Sequence, residues 1–546
     1  MESRGRTNAS RFPVGIDLMQ HCSTLPIWRV LLAVAIAAIS ISMVGCPSCE
    51  QTFDDAEDGF VVLMDASPDG LDPRFATTDA TMKLVSLLHE GLVSVDTPDG
   101  TLENRLASRI EQTSPTRYEI ELRDDAVFHD GEPVTADDVE YTYMNLGDVG
   151  SPRRAMNDRI ESFEIIDDHN FVIVLNEPHA PFEQDLSLGI LPRHICEGHD
   201  NCPGDPVGAG AFRFEERPGE LEIEFRAFDD HFDSSPAIER LIFRVIRDDN
   251  ARLLALLGDT ADVVQNAVSP VMMPVVEDED RFDIQTDSSF GYTYLAFNLD
   301  HPILGDQKVR KAIAYAIDRD QIIEHKFRGL ARPATGMLVP EHWAYEGDVE
   351  TYDYDPDRAR QLLDEAGYEA DDGQWRFEVE FKVSANAFRR SLAQLMAQQL
   401  GEVGIGVRVR AYEWGTFYSD IQSRNFEITT MQWPGVQEPH IFHWIFHSDN
   451  IPSPDNQAAG ANRGAYENER VDELLELGQR ETDRQRRAEI YGEIQQILAD
   501  ELPYVSLWHP ENVAVLRQGI EGYYTTPNAR YDSLRSAIPA PEQQAQ

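Results

Sequence analysis

Short runs of hydrophobic residues predict β-strands at several places along the chain. Residues 60–64 begin the strand-like pattern, and residues 118–122 alternate hydrophobic with charged side chains, as in a strand half buried in a sheet. Residues 171–175 are continuously apolar, which is more typical of a central strand covered on both faces.

Apolar residues at helical spacing predict helices between these strands. The spacing predicts a packed helix over 78–92, and Thr135 with Asp138 three residues later favours a helix start. Further helices are predicted over 306–320, 355–367 and 392–400. Because strands and helices alternate throughout, the pattern indicates an α/β protein with at least two lobes. The sequence has no repeat with a period of 20–50 residues, so a solenoid is not predicted.

The composition is globular and strongly acidic. The 546 residues include 97 Asp and Glu against 47 Lys and Arg, a net charge of -50, yet 42% are hydrophobic, which excludes a disordered acidic chain. Such a surface repels phosphate backbones and anionic lipids, so we expect no nucleic-acid partner. Any attachment to a membrane must then be hydrophobic or covalent.

The N-terminal segment has the pattern of an export signal. Basic residues precede an uncharged run over 30–44, which is too short to span a bilayer comfortably. The run ends in Met43-Val44-Gly45-Cys46, which resembles a bacterial lipoprotein signal with Cys46 as the lipidated residue. We therefore predict a signal peptide over 1–45 and a flexible tether over 46–59. An ordinary secretory signal with an incidental cysteine is the alternative.

Two cysteines flank a polar loop in a chain that is expected to be exported. Cys196 and Cys202 are predicted to form a disulfide, because an oxidising compartment favours one. A metal site is the competing interpretation, since His194 and His199 are interleaved with them.

Several ordered blocks resemble one family, the extracytoplasmic solute-binding proteins of the oligopeptide, dipeptide and nickel type that serve ABC importers. The blocks that carry the resemblance lie at 71–78, 89–93, 122–139, 208–212, 256–263, 296–298, 309–319 and 362–367. Each is weak alone, but their order and spacing together are specific.

The resemblance implies a two-lobed periplasmic-binding-protein-like fold of type II, with an extra subdomain on lobe one. Lobe one would comprise about 60–76, 203–290 and 505–537, with the subdomain over 77–202. Lobe two would comprise 291–504, and 538–546 would be a flexible tail.

The same resemblance implies a binding protein without enzymatic turnover and without a cofactor. It would be a lipid-anchored monomer on the periplasmic side of the cell envelope, delivering a short peptide or other small solute to an ABC permease with its ATPase subunits. Closure of the lobes around the ligand would be the state that the permease senses. A signalling receptor that reports its ligand to another protein is an alternative.

Peptide-binding relatives carry two tryptophans at the spacing of Trp414 and Trp433, followed by an acidic residue for the ligand's amino group. Here that acid is missing, and Thr430 stands where longer-peptide relatives place an arginine. Glu438 is predicted to replace the acid, or otherwise to charge the start of the following helix. The tryptophans could also be ordinary core residues.

Three further aromatic residues are weaker candidates for the pocket wall: Tyr292, Tyr294 and Phe75.

Three histidines, His440, His443 and His447, follow at the spacing of one helix face. They could bind a transition metal or a metal chelate, but we favour a plain polar face opposite neighbouring apolar residues, so no metal is assigned. A metal hydrolase built on these histidines is the enzyme hypothesis. The sequence contains no nucleophile elbow, phosphate loop, HExxH or paired CxxC motif to support another.

Overall fold

Four β-sheets organise the residues that the computed structural model describes, which are 59–95, 101–370, 373–453 and 460–541. The predicted signal peptide, Cys46, the tether up to residue 58 and the last five residues lie outside the described residues.

The strands, numbered in chain order, are β1 Phe60–Met64, β2 Val93–Ser94, β3 Glu103–Asn104, β4 Ala107–Ser114, β5 Arg117–Leu122, β6 Ile160–Ile165, β7 Asn170–Leu175, β8 Phe212–Glu216, β9 Glu222–Ala227, β10 Arg240–Val245, β11 Val263–Gln265, β12 Phe282–Asp287, β13 Tyr292–Phe297, β14 Ala331–Pro333, β15 Phe377–Ser384, β16 Ile405–Tyr412, β17 Ile428–Trp433, β18 Tyr504–Pro510 and β19 Asn512–Arg517.

The α-helices span Asp79–Leu88, Ala136–Met144, Arg154–Asp158, Phe182–Asp185, Arg193–Cys196, Asp249–Leu257, Met273–Glu277, Gln307–Ala316, Arg319–Ile322, Pro356–Glu365, Ala387–Glu402, Trp414–Gln422, Ile441–Phe446, Glu469–Arg480 and Arg484–Glu501.

Two large sheets form the centres of the two lobes. The first sheet has the strand order β12-β19-β11-β1-β10-β9-β8, and the second has the order β14-β18-β13-β17-β15-β16. Helices cover both, and buried side chains such as Phe243 in β10 and Phe381 in β15 are completely enclosed. A smaller antiparallel sheet, β4-β5-β7-β6, has a core of its own and lies within the predicted subdomain.

The helices begin where the capping residues predict. The side chains of Thr78, Asp306 and Asp355 accept hydrogen bonds from backbone N–H groups in the first turns, and Asp138 accepts from the backbone of Thr135 at 2.9 Å. The first helix ends at Leu88, so residues 89–92, included in the predicted helix, are non-helical.

One predicted boundary between the lobes can be compared with the strands. The boundary predicted at 505 falls inside β18, which pairs with β13 and β14 in the second sheet, so the chain returns to the first sheet at Glu511.

Cys196 and Cys202 are joined by a disulfide, with their Cα atoms 4.4 Å apart. Among the described helices, none has both the length and the apolar character that a bilayer crossing requires.

Candidate functional site in the cleft between the lobes

The chain crosses between the two large sheets at two neighbouring places. Residues 288–291 connect β12 to β13, and Glu511 alone connects β18 to β19. The crossings are closely packed, because a Cβ atom on Gly291 would lie 2.9 Å from the Ser289 hydroxyl and 3.1 Å from the Pro510 ring. The Nδ1 atom of His509 donates to the Gly291 carbonyl at 2.8 Å. These crossings form a hinge between the lobes.

A cavity of about 200 Å³, which we call the hinge cavity, lies where the two lobes face each other beside the crossings. The first lobe contributes Asp65, which follows β1, and residues 266–270, which follow β11. The second lobe contributes Asn386, Arg389 and Gln432, with apolar side chains around them. A solute bound here would contact both lobes.

The hinge cavity holds one unpaired charge from each lobe. Arg389 lies in the first turn of the helix that Asn386 caps, and burial lowers the pKa of its guanidinium. Its side chain donates only a long hydrogen bond, 3.4 Å, to the Gln432 side chain. Within the described residues, neither Arg389 nor Asp65 forms an ion pair. Arg389 is half-buried and Asp65 is exposed. A half-buried guanidinium without a carboxylate partner favours an anionic ligand group.

Direct contacts hold the lobes together on the other side of the cleft. Ala180 donates its backbone N–H to the Gln479 carbonyl at 2.8 Å, and the Gln184 side chain donates to the Gln437 side chain at 3.4 Å. Gln437 in turn donates to the carbonyl of Val95. The structure is therefore a closed arrangement of the cleft.

A larger cavity of about 390 Å³, which we call the central cavity, lies between the subdomain, the end of the first lobe and the 435–441 segment of the second. Four arginines line it: Arg153, Arg159, Arg530 and Arg535. Four carboxylates also line it: Glu90, Asp185, Glu438 and Asp532.

The carboxylates of the central cavity have unequal surroundings. Burial alone would raise the pKa of Glu90, but the His231 ring 3.5 Å away and the charge and hydrogen bonds of Arg105 lower it to about 2. Burial raises the pKa of Asp185 to about 6, against the opposing charge of Arg159 3.4 Å away.

Glu438, predicted to bind a ligand amino group, is already paired. Both of its carboxylate oxygens accept from the Arg487 guanidinium, and one also accepts from the backbone N–H of His440 at 3.1 Å. Glu438 nevertheless lines the central cavity and a third cavity of about 330 Å³ that Arg487 and Trp343 share. Its role in binding stays a prediction.

The predicted aromatic residues do not form one pocket wall. Trp414 is 55% exposed and stacks on Tyr418, whereas Trp433 packs its ring edge-on against Trp444, 5.6 Å away. The Trp433 indole nitrogen is buried without a hydrogen-bond partner among the described residues.

Tyr292 and Tyr294 are buried in β13, whose neighbours β17 and β18 pair on both sides. The Tyr292 hydroxyl bonds to Ser506 at 2.8 Å, inside the second lobe. Phe75 is half-buried at the end of a short 3-10 turn next to Ala76, which does line the central cavity.

His440 and His447 cap the two ends of a helix of only six residues, Ile441–Phe446, and His443 lies within it. His443 and His447 stack at 4.5 Å, and His440 packs edge-on against His179 of the subdomain at 5.3 Å. Burial lowers the pKa of His443 to about 4 and that of His179 to about 3. Across the described ranges, no three His, Cys, Asp or Glu side chains come together in a group that could hold a metal ion.

Sequence reasoning missed the unpaired charges that face the two cavities. Asp65 and Arg389 are 324 positions apart in the sequence, and only the fold brings them to one cavity. The available signal was the position of Arg389 itself, three residues after Asn386, which caps the helix Ala387–Glu402.

Comparison with known proteins agrees with this architecture. The family model for bacterial extracellular solute-binding proteins, family 5, matches residues 101–453. A probable di/tripeptide-binding protein 5 from Pseudomonas aeruginosa is 28% identical over 516 residues, covering 87% of this chain and 95% of the relative.

Two solved structures share the fold. The oligopeptide-binding protein AppA from Bacillus subtilis, in complex with a nonapeptide, has a TM-score of 0.75 at 25% identity and covers 88% of this chain and 99% of its own. NikZ from Campylobacter jejuni, in complex with Ni(L-His), has a TM-score of 0.78 at 23% identity with the same coverage. These likenesses confirm the predicted two-lobed α/β fold.

Proposed function

Because the chain belongs to the bacterial extracellular solute-binding proteins of family 5, we propose that it captures a short peptide between its two lobes and delivers it to an ABC permease. The relatives named above as di/tripeptide-binding and oligopeptide-binding support a peptide as the ligand.

One observation carries the proposal: the hinge cavity has an unpaired carboxylate, Asp65, on the first lobe and an unpaired guanidinium, Arg389, on the second. A short peptide is a zwitterion, with an ammonium group at one end and a carboxylate at the other. Its carboxylate would pair with Arg389 and its ammonium group with Asp65. The size of the hinge cavity, about 200 Å³, favours a short peptide over a long one.

This arrangement explains why the ligand would close the cleft. A peptide that contacts both charges binds the closed form better than the open form, and it therefore shifts the population towards closure. In this proposal the hinge is the pair of crossings at 288–291 and Glu511. Asn386 and Gln432, which line the same cavity, would bind the peptide main chain, whereas the amide group of Asn266 is bonded to Asn512 and Val513.

The proposal includes the predicted lipid anchor. Cys46 would hold the protein on the periplasmic side of the cell envelope through a lipid, with residues 46–59 as a tether. A Cys46→Ser substitution is expected to release the protein from the membrane fraction, and retention of the variant there would contradict the anchor without affecting the peptide proposal.

Thermal unfolding of the mature protein tests the function. After ligand is removed by unfolding and refolding, di- and tripeptides at a hundred times their dissociation constant should stabilise the native state by about 2.7 kcal/mol. Divalent metals, with a chelator control, provide the comparison. A shift with metals or metal chelates and none with peptides would contradict the proposal and favour the three-histidine alternative.

A further inference from the structure

The central cavity presents positive charge that the protein itself does not neutralise. Of the arginines lining it, Arg153, Arg530 and Arg535 form no ion pair with any carboxylate in the described part of the chain. One nitrogen of Arg153 donates to the Ala76 carbonyl at 2.6 Å, but its Nε atom is buried without a partner. Burial and the charge of Arg530 lower the pKa of Arg153.

The carboxylates of the cavity do not balance these arginines, because most have their own cations. Glu90 pairs at 2.9 Å with Arg105, which also pairs with Asp233 at 2.6 Å, and Glu438 pairs with Arg487. Neither Arg105 nor Arg487 lines the central cavity. Asp185 lies 3.4 Å from Arg159.

Only Asp532 of the four has no ion pair, and it accepts a hydrogen bond from Ser86 at 2.6 Å. Three arginines therefore face the cavity against one unpaired carboxylate. In a protein with a net charge of -50, where carboxylates are abundant, this imbalance is a local property of the cavity. The three arginines are half-buried, and guanidinium groups that are partly removed from water without a carboxylate favour an anionic ligand group.

The central cavity lies within reach of the hinge cavity. Gln432 lines the hinge cavity, and Gly435, only three residues later on the same segment, lines the central cavity. Three residues of extended chain span at most about 10 Å. An extended di- or tripeptide lying along this segment can therefore have its ends in the hinge cavity and direct a side chain into the central cavity.

We propose that the preferred ligand is a short peptide with an acidic side chain, whose carboxylate enters the central cavity and accepts hydrogen bonds from Arg153, Arg530 and Arg535. This inference rests on the proposed function and specifies its substrate class. It assigns Arg389 and Asp65 to the ends of the peptide and the three arginines to its side chain.

Calorimetric titration of the mature, ligand-free protein with matched tripeptides tests the inference. The peptides are tri-alanine with one residue replaced by Glu or by the neutral, isosteric Gln, at each of the three positions. At one position or more, the Glu peptide is expected to bind about 10- to 100-fold more tightly than its Gln partner, as for a hydrogen-bonded charge pair. Equal affinities at all three positions would overturn the inference.

Arginine variants then test whether the central cavity is responsible for the preference for Glu over Gln peptides. In Arg530→Gln/Arg535→Gln the ratio of the affinities for the Glu and Gln peptides should fall to about twofold or less. Arg217→Gln, at an exposed arginine outside the cavities, removes one positive charge and should keep the full difference. A preference that survives the double substitution would overturn the assignment to this cavity. If no peptide of either kind binds the wild type, the proposed function itself fails, which is a distinguishable result.

Discussion

The hinge cavity and the central cavity lie on the same cleft but hold charge differently. The hinge cavity has one unpaired charge of each sign, Asp65 and Arg389, on opposite lobes. The central cavity has three arginines without an ion pair, Arg153, Arg530 and Arg535, against one such carboxylate, Asp532. The difference indicates that the two cavities recognise different parts of a ligand: the hinge cavity suits the two ends that every peptide has, and the central cavity suits a feature that only some peptides have.

The largest effect on this difference between the cavities is expected from removing the cation of the hinge cavity, Arg389. Arg389→Gln is expected to weaken binding of all short peptides about 100-fold, because the ligand carboxylate would then be buried without a charged partner. Titration calorimetry measures the effect. Arg390→Gln is the matched control, since Arg390 is the exposed neighbour in the same helix and should keep wild-type affinity. An equal loss of peptide affinity in both variants, or no loss in either, would contradict the role assigned to Arg389.

The second prediction asks whether Glu438 serves the ligand or the fold. Glu438→Gln is expected to lower the free energy of unfolding by about 3 kcal/mol, because Arg487, with only 7% of its side chain exposed, loses its carboxylate. Urea denaturation without ligand measures the loss, and Glu438→Gln/Arg487→Met should recover part of it. Unchanged stability together with weaker peptide binding would instead make Glu438 the group that binds the ligand amino end.

The third prediction concerns the pH dependence of stability that comes from Asp185, which lines the central cavity. The pKa of Asp185 is raised from 3.8 to about 6 in the folded protein, so the folded state binds more protons than the unfolded state between these values. The free energy of unfolding contributed by Asp185 therefore falls as pH rises through this window, by about 3 kcal/mol in total.

Asp185→Asn should remove this contribution, and Asp230→Asn, at an exposed position, should keep it. Stability measured by urea denaturation from pH 4 to pH 7 makes the comparison. The Glu90 pKa, lowered to about 2, gives a slope of opposite sign at lower pH, so the two groups do not mask each other. If stability depended on pH in the same way for the wild type and Asp185→Asn, the raised pKa of the Asp185 carboxylate would be contradicted.

The sequence predicts the architecture better than the site. Helix starts at Thr78, Asp306 and Asp355 follow from local capping chemistry, and the strand over 171–175 follows from its continuous apolar run, so both are visible in neighbouring residues. The site depends on contacts between distant residues.

The exposure of Trp414 and the pairing of Glu438 with Arg487, 49 residues away, are set by tertiary packing. The burial of Tyr292 follows from strands on both sides of β13. Spacing within one segment cannot indicate which charges remain unpaired after folding, because their partners come from other parts of the chain.

The central claim, that the lobes close on a short zwitterionic peptide, is tested most directly by small-angle X-ray scattering of the ligand-free mature protein, titrated with tri-alanine and with tri-alanine acetylated and amidated at its ends. The account predicts that free tri-alanine reduces the radius of gyration, and that the capped peptide at the same concentration does not, because it lacks the charges that pair with Asp65 and Arg389. Equal compaction by both peptides, or none by either, would contradict it.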